Sequence, residues 1–76
     1  MGRIPTLRAT DVIRALGNLG FQTVRQRSSH IIMRHPDQRV VTVPVHSGQD
    51  IGGGLLRKIL RDAEVTTRGF LTAIRH

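Results

Sequence analysis

The sequence predicts a two-layer α+β domain of order α-β-β-β-α, with a three-stranded antiparallel sheet and its helices on one face. Three observations carry this. Apolar residues recur at helical spacing near both ends of the chain, as Val12, Leu16 and Leu19 and again as Leu56, Ile59, Leu60 and Ala63. Between them lie three short β-prone segments. The connections between those segments are of hairpin length, which makes a meander of antiparallel strands rather than a parallel crossover. Both helices need an apolar surface to cover. One face of the sheet supplies it and the other is left to solvent.

The first helix is expected from Thr10 to Leu19, with Ile13 broadening its stripe. Thr10 is a fair N-cap, Asp11 suits the first turn, and Gly20 is a natural stop. Phe21 to Gln26 alternates and tolerates a strand. Ser28-Ser29 supplies a turn, and His30 to Arg34 forms the second strand. His35-Pro36-Asp37-Gln38 is strong turn chemistry. Val40 to Val45 is the clearest strand, because Val40, Val41, Val43 and Val45 are β-branched. Pro44 has no N–H for a ladder, so this strand lies at an edge or ends there. Alternation puts Ile31, Met33, Val41, Val43 and Val45 on the covered face. His30, Ile32, Arg34, Val40, Thr42 and His46 fall on the open one. After the turn Ser47-Gly48-Gln49-Asp50 and the glycines 52–54, a second helix is expected from Leu55 to Ala63, with Leu55 in its buried stripe. A short third helix from Arg68 to Ile74 covers the core with Phe70, Leu71 and Ile74.

A chain of 76 residues makes one domain, spanning 1–76, with a small core. It has no cysteine, which excludes disulfides and fits a reducing cytoplasm. No apolar run approaches the ~20 residues that span a bilayer, so no membrane is expected. Twelve Lys+Arg against five Asp+Glu leave a net charge of +7, and eleven of the twelve are arginine. The planar fork of arginine grips phosphate through two hydrogen bonds. This balance points to a polyanionic partner. With two phenylalanines and no tyrosine or tryptophan, the chain lacks the stacking platforms of the common single-strand binders.

The chemistry concentrates at Ser28-Ser29-His30, which opens the apolar run Ile31-Ile32-Met33 and is crowded by Arg25, Arg27, Arg34 and His35. A histidine at the mouth of a strand, with arginines beside it, is suited to holding a phosphodiester and moving a proton. The unperturbed histidine pKa of ~6.5 suits proton transfer near neutrality. The competing reading is a surface histidine at a strand end. A second basic group, Arg57, Lys58 and Arg61, lies on the second helix and is read either as a phosphate contact or as a solvated face. The four histidines have no metal-ligand spacing and no adjoining carboxylate pair, so neither a metal nor another cofactor is expected. The glycine run 52–54 lacks the Lys-Ser/Thr ending of a phosphate-binding loop and is read as a turn.

The residues Gly20-Phe21, Arg25-Gln26-Arg27-Ser28-Ser29-His30, Arg34-His35-Pro36, Val43-Pro44-Val45-His46, Ile51, Gly54-Leu55-Leu56-Arg57-Lys58-Ile59, Ala63-Glu64-Val65-Thr66 and Phe70-Leu71 occur in the order found in one family. On these the chain resembles the HicA toxins, small bacterial mRNA-cleaving ribonucleases. The resemblance implies a double-stranded-RNA-binding-domain-like fold, a catalytic strand histidine at His30, and a cognate HicB-like antitoxin. The family pattern is Gly-Ser-His, and here Ser28 stands where the glycine does. Three functions follow for comparison. The first is a metal-independent endoribonuclease with His30 as general acid/base and Arg25, Arg27, Ser29, Arg34, Arg57 and Lys58 as RNA contacts. The second is a non-catalytic double-stranded-RNA-binding module. The third is an interaction protein whose basic surface meets an acidic partner.

Overall fold

The computed structural model describes residues 6–45 and 50–75. Its elements are β1 (Leu7–Arg8), α1 (Ala9–Asn18), β2 (Gln22–Arg27), β3 (His30–Arg34), β4 (Val40–Pro44), β5 (Asp50–Ile51), α2 (Gly53–Ala63) and α3 (Thr67–Ile74). The expected α-β-β-β-α order is present, with α3 following. Strands β2, β3 and β4 form an antiparallel sheet in that order. The expectation for His46 on the open face, and for the turn at Ser47, Gly48 and Gln49, lies outside the described residues.

Register decides which residues face the helices. Ile31 pairs with Val43 and Met33 with Val41. Met33, Val41 and Val43 are buried, with Ile31 and Val45 half-buried against the same core. Val12, Ala15 and Leu16 of α1 close on them, as do Leu56, Ile59 and Leu60 of α2 and Phe70 of α3. Each large side chain fully removed from water contributes roughly 1.5–3 kcal/mol. The helices sit chiefly over β4. Strand β2 overhangs at the far edge, and all six of its residues are exposed. Helix α3 is tied to α1 by the Asn18 amide, which donates to the Ala73 carbonyl at 2.9 Å, and by Arg14 Nη1, which donates to the Ile74 carbonyl at 3.1 Å.

Several boundaries differ from the expectation. Two-residue strands β1 and β5 pair antiparallel, Leu7 with Ile51 and Arg8 with Asp50. With Leu7 and Arg8 in a strand, α1 starts at Ala9 with Arg8 as its N-cap, and Thr10 lies inside the helix. Helix α2 starts at Gly53, two residues early, and Leu55 is exposed at its first turn rather than buried. Thr66 caps α3 by accepting from the Gly69 N–H at 3.0 Å. Gly20 takes φ +104° as α1 ends, and an added Cβ there would lie 2.7 Å from His35 Nε2. A side chain at this position is strained by the backbone conformation and would also have to displace the His35 ring.

Arg39 fastens the β3–β4 turn to the rest of the molecule. Its Nε donates to both carboxylate oxygens of Asp37 at 3.0 and 2.8 Å. Its Nη1 donates to the carbonyls of Ala63 and Glu64 at 2.7 and 3.2 Å, satisfying the C-terminal end of α2. Its guanidinium lies 5.2 Å from the ring centroid of the buried Phe21. His35 meets the same ring edge-on at 5.1 Å. The pair His35 and Arg39 therefore packs around Phe21, and neither projects from the sheet as a free basic group.

Candidate functional site

The open face of the sheet is built from three cross-strand rows. Arg27, His30 and Pro44 make the first, Arg25, Ile32 and Thr42 the second, and Gln22, Arg34 and Val40 the third. Side chains opposite one another on antiparallel strands have Cβ atoms roughly 4.5–5.5 Å apart. Arg27 is thus the direct neighbour of His30, and Arg25 and Arg34 stand one and two rows further along.

Regular alternation alone does not produce this arrangement. Phe21 is buried and Arg25 and Arg27 lie at even separations from it, so an unbroken strand would turn both arginines toward the helices. The β2–β3 register shifts between Thr23 and Arg25. Val24 is the extra residue of this bulge and is 56 % exposed. One inserted residue reverses the phase of everything beyond it. Phe21 stays in the core while Arg25 and Arg27 join His30 on the open face.

The turn ahead of His30 is a two-residue loop closed by the Arg27–His30 pair. Ser28 occupies it with φ +38°, in the left-handed region that glycine adopts freely. The Ser29 carbonyl accepts from the Val45 N–H at 2.6 Å, which ties the loop to the end of β4. Ser29 therefore sits at the His30 end of the face. His30 is exposed and stands opposite Pro44, at the point where β4 loses a backbone donor.

At the other end, Gln22, Val24, Arg34, His35, Pro36 and Gln38 line a cleft of about 240 Å³. Gln38 Oε1 accepts from Arg34 Nη2, which orients that guanidinium. The residues expected from sequence therefore separate into two groups. Arg25, Arg27, Ser29, His30 and Arg34 share one face or its end. Arg57 and Lys58 point away from the sheet on the outer side of α2, whose inward side is Leu56, Ile59 and Leu60. Lys58 Nζ pairs with Asp62 Oδ2 at 2.9 Å, one helical turn on. Gln22 and Val24 were not among the expected site residues, because the bulge that admits them has no signature in the pattern of β2.

The architecture, three antiparallel strands with α1 and α2 on one face, is that of the double-stranded-RNA-binding-domain-like α+β proteins. A family model described as the HicA toxin of bacterial toxin-antitoxin systems matches residues 9–65. The chain belongs to this family and is a toxin of the kind paired with an antitoxin. The match runs from the first residue of α1 to just past α2, so α3, which completes the core with Phe70 and Ala73, lies beyond it. No curated protein matches the chain. No helix among the described residues is long and apolar enough to cross a membrane.

Proposed function

We propose that this toxin is a metal-independent endoribonuclease acting on mRNA in the cytoplasm, with His30 as the proton-transfer group. The observation that carries the reading is the first row of the open face, where Arg27 stands directly across from His30 beside a tight hairpin turn. RNA supplies its own nucleophile in the 2′-hydroxyl. His30 takes the proton of that hydroxyl as its oxygen attacks the adjacent phosphorus. The P–O5′ bond breaks, water gives the leaving oxygen its proton, and a 2′,3′-cyclic phosphate and a 5′-hydroxyl result. Arg27 and Arg25 stabilise the charge that builds on the phosphoryl oxygens. Ser29 and Arg34 contact the strand at either end of the face. Arg57 and Lys58, on the far side of α2, offer an auxiliary phosphate contact to a longer RNA.

The decisive variant is His30→Ala. His30 lies on the solvated face, so its loss should change stability by no more than ~0.5 kcal/mol. RNA binding persists because the arginines provide it. Cleavage falls at least ~10²-fold, the usual minimum for a general acid/base. Cleavage also survives EDTA. A His30→Ala protein that cleaves normally, or activity that EDTA abolishes and divalent ions restore, ends this reading. RNA bound by the native chain and never cut would leave a double-stranded-RNA-binding module. A cognate HicB-like antitoxin is the partner we assign to the open face, masking His30. A complex that leaves His30 accessible would contradict such masking.

A further inference from the structure

We propose that the cleft at the far end of the open face is a nucleobase subsite that selects guanine in the bound RNA; the proposal rests on the ribonuclease reading of the same face. Arg34 and His30 are four residues apart on one strand and project from the same face, which separates them by ~13 Å. An RNA strand whose phosphate sits at His30 and which runs along the second row reaches the cleft more than one nucleotide away. The second row offers it Arg25 for a phosphate, with Ile32 and Thr42 against the sugar.

The cleft has the composition a single base requires. At about 240 Å³ it falls below the 300–1,000 Å³ of pockets that take larger ligands. Val24 and Pro36 provide apolar contact for a planar ring in a protein with no tyrosine or tryptophan to stack on it. Arg34, Gln22 and Gln38 provide polar groups for the ring edge. Arg34 is held for this task, because Gln38 Oε1 accepts from its Nη2. Gln38 is positioned in turn by a backbone φ of +83° and by its Nε2, which donates to the Pro36 carbonyl at 3.4 Å. A guanidinium with a fixed plane matches two adjacent acceptors. Guanine presents such a pair in O6 and N7, and this is the commonest specific contact arginine makes with a base. The bulge also contributes here, because Val24 is the residue it adds to the ladder and also a wall of the cleft.

The test uses short 2′-O-methyl oligouridylates carrying one guanine, adenine, cytosine or no substitution. The methyl group removes the nucleophile, so binding is read without any contribution from cleavage. The guanine oligonucleotide should bind at least ~5-fold tighter than the other three. Arg34→Lys keeps the charge and loses the fork, so it should bring that preference below about two-fold while leaving the salt dependence of binding unchanged. Equal affinity of the native protein for all four, a preference for another base, or a guanine preference that Arg34→Lys retains would overturn the subsite. So would a uniform loss across all four in Arg34→Lys, which would mark Arg34 as a phosphate contact. Binding without preference removes only the subsite, whereas failure to bind any of the four removes the RNA reading beneath it.

Discussion

Replacing Ser28 with glycine should make this protein more stable. Ser28 is the first residue of the two-residue loop between β2 and β3 and is held at φ +38°. An L-residue in the left-handed region carries roughly 1–2 kcal/mol of steric cost, which glycine lacks. Glycine gives back ~0.5–1 kcal/mol through the greater freedom of the unfolded chain. The net gain is at most ~1.5 kcal/mol with a midpoint of ~0.75 kcal/mol, which for a domain of this size raises Tm by about 3–6 °C at that midpoint. Thermal unfolding followed by circular dichroism, with urea unfolding beside it, measures the change. Ser29→Gly is the control. Ser29 does not adopt a positive φ, so it pays the entropy without relieving strain and should lower stability. The reasoning fails if Ser28→Gly is no more stable than the native chain, or if Ser29→Gly gains as much. The backbone of the turn would then be comfortable with serine.

Three further outcomes follow from the structure. Arg39→Ala removes the hydrogen bonds to Ala63, Glu64 and Asp37 and the contact over Phe21, and should cost about 2 kcal/mol in urea unfolding, with Arg39→Lys recovering less than half. A full recovery by lysine would show that charge alone matters there. The side-chain hydrogen bond from Arg39 holds the Asp37 carboxyl below its ordinary value of 3.8, so its contribution is complete above that pH and is lost as pH falls below it through the depressed value. Asp37→Asn should therefore flatten the acid limb of the stability curve below pH 3.8, and an unchanged limb would refute the coupling. Deleting Val24 turns β2 into a regular ladder with every other pair kept, so the variant should fold, retain the salt slope of RNA binding and lose guanine preference. A deletion variant that unfolds, or one that keeps its guanine preference, would refute this account of the bulge.

Much of the fold was legible because its signals are periodic. The stripe Val12-Leu16 and the run Leu56-Ile59-Leu60 declare buried helix faces, and the alternation of Val41 and Val43 with Thr42 states the register of β4 and, through pairing, that of β3. His30, Arg34 and Ile32 fell on the open face for the same reason. Strands β1 and β5 were not legible, because two residues are too short to show a period. Nor was the role of Arg39. In the sequence it is one more basic residue in a turn, and its carbonyl partners at Ala63 and Glu64 lie across the fold. Leu55 was misplaced because a first helical turn can extend beyond the layer it covers.

The same distinction explains why the sequence marks Arg25 and Arg27 as candidate site residues without an account of how they reach the open face. Their charge is visible in the sequence, whereas their side of the sheet depends on a count of residues modulo two. Two anchors fix that count from opposite ends: Phe21, which must be buried, and the Arg27–His30 pair, which the two-residue turn imposes. An even separation between Phe21 and Arg27 would satisfy both only if the arginines faced the helices, where unpaired charge costs several kcal/mol. The one extra residue at Val24 resolves the conflict, and it does so on the overhanging edge strand, where a lost ladder bond is exposed to water and costs least. The bulge is therefore the step that turns a basic strand beside a histidine into a continuous basic face with His30 at one end and a base-sized cleft at the other.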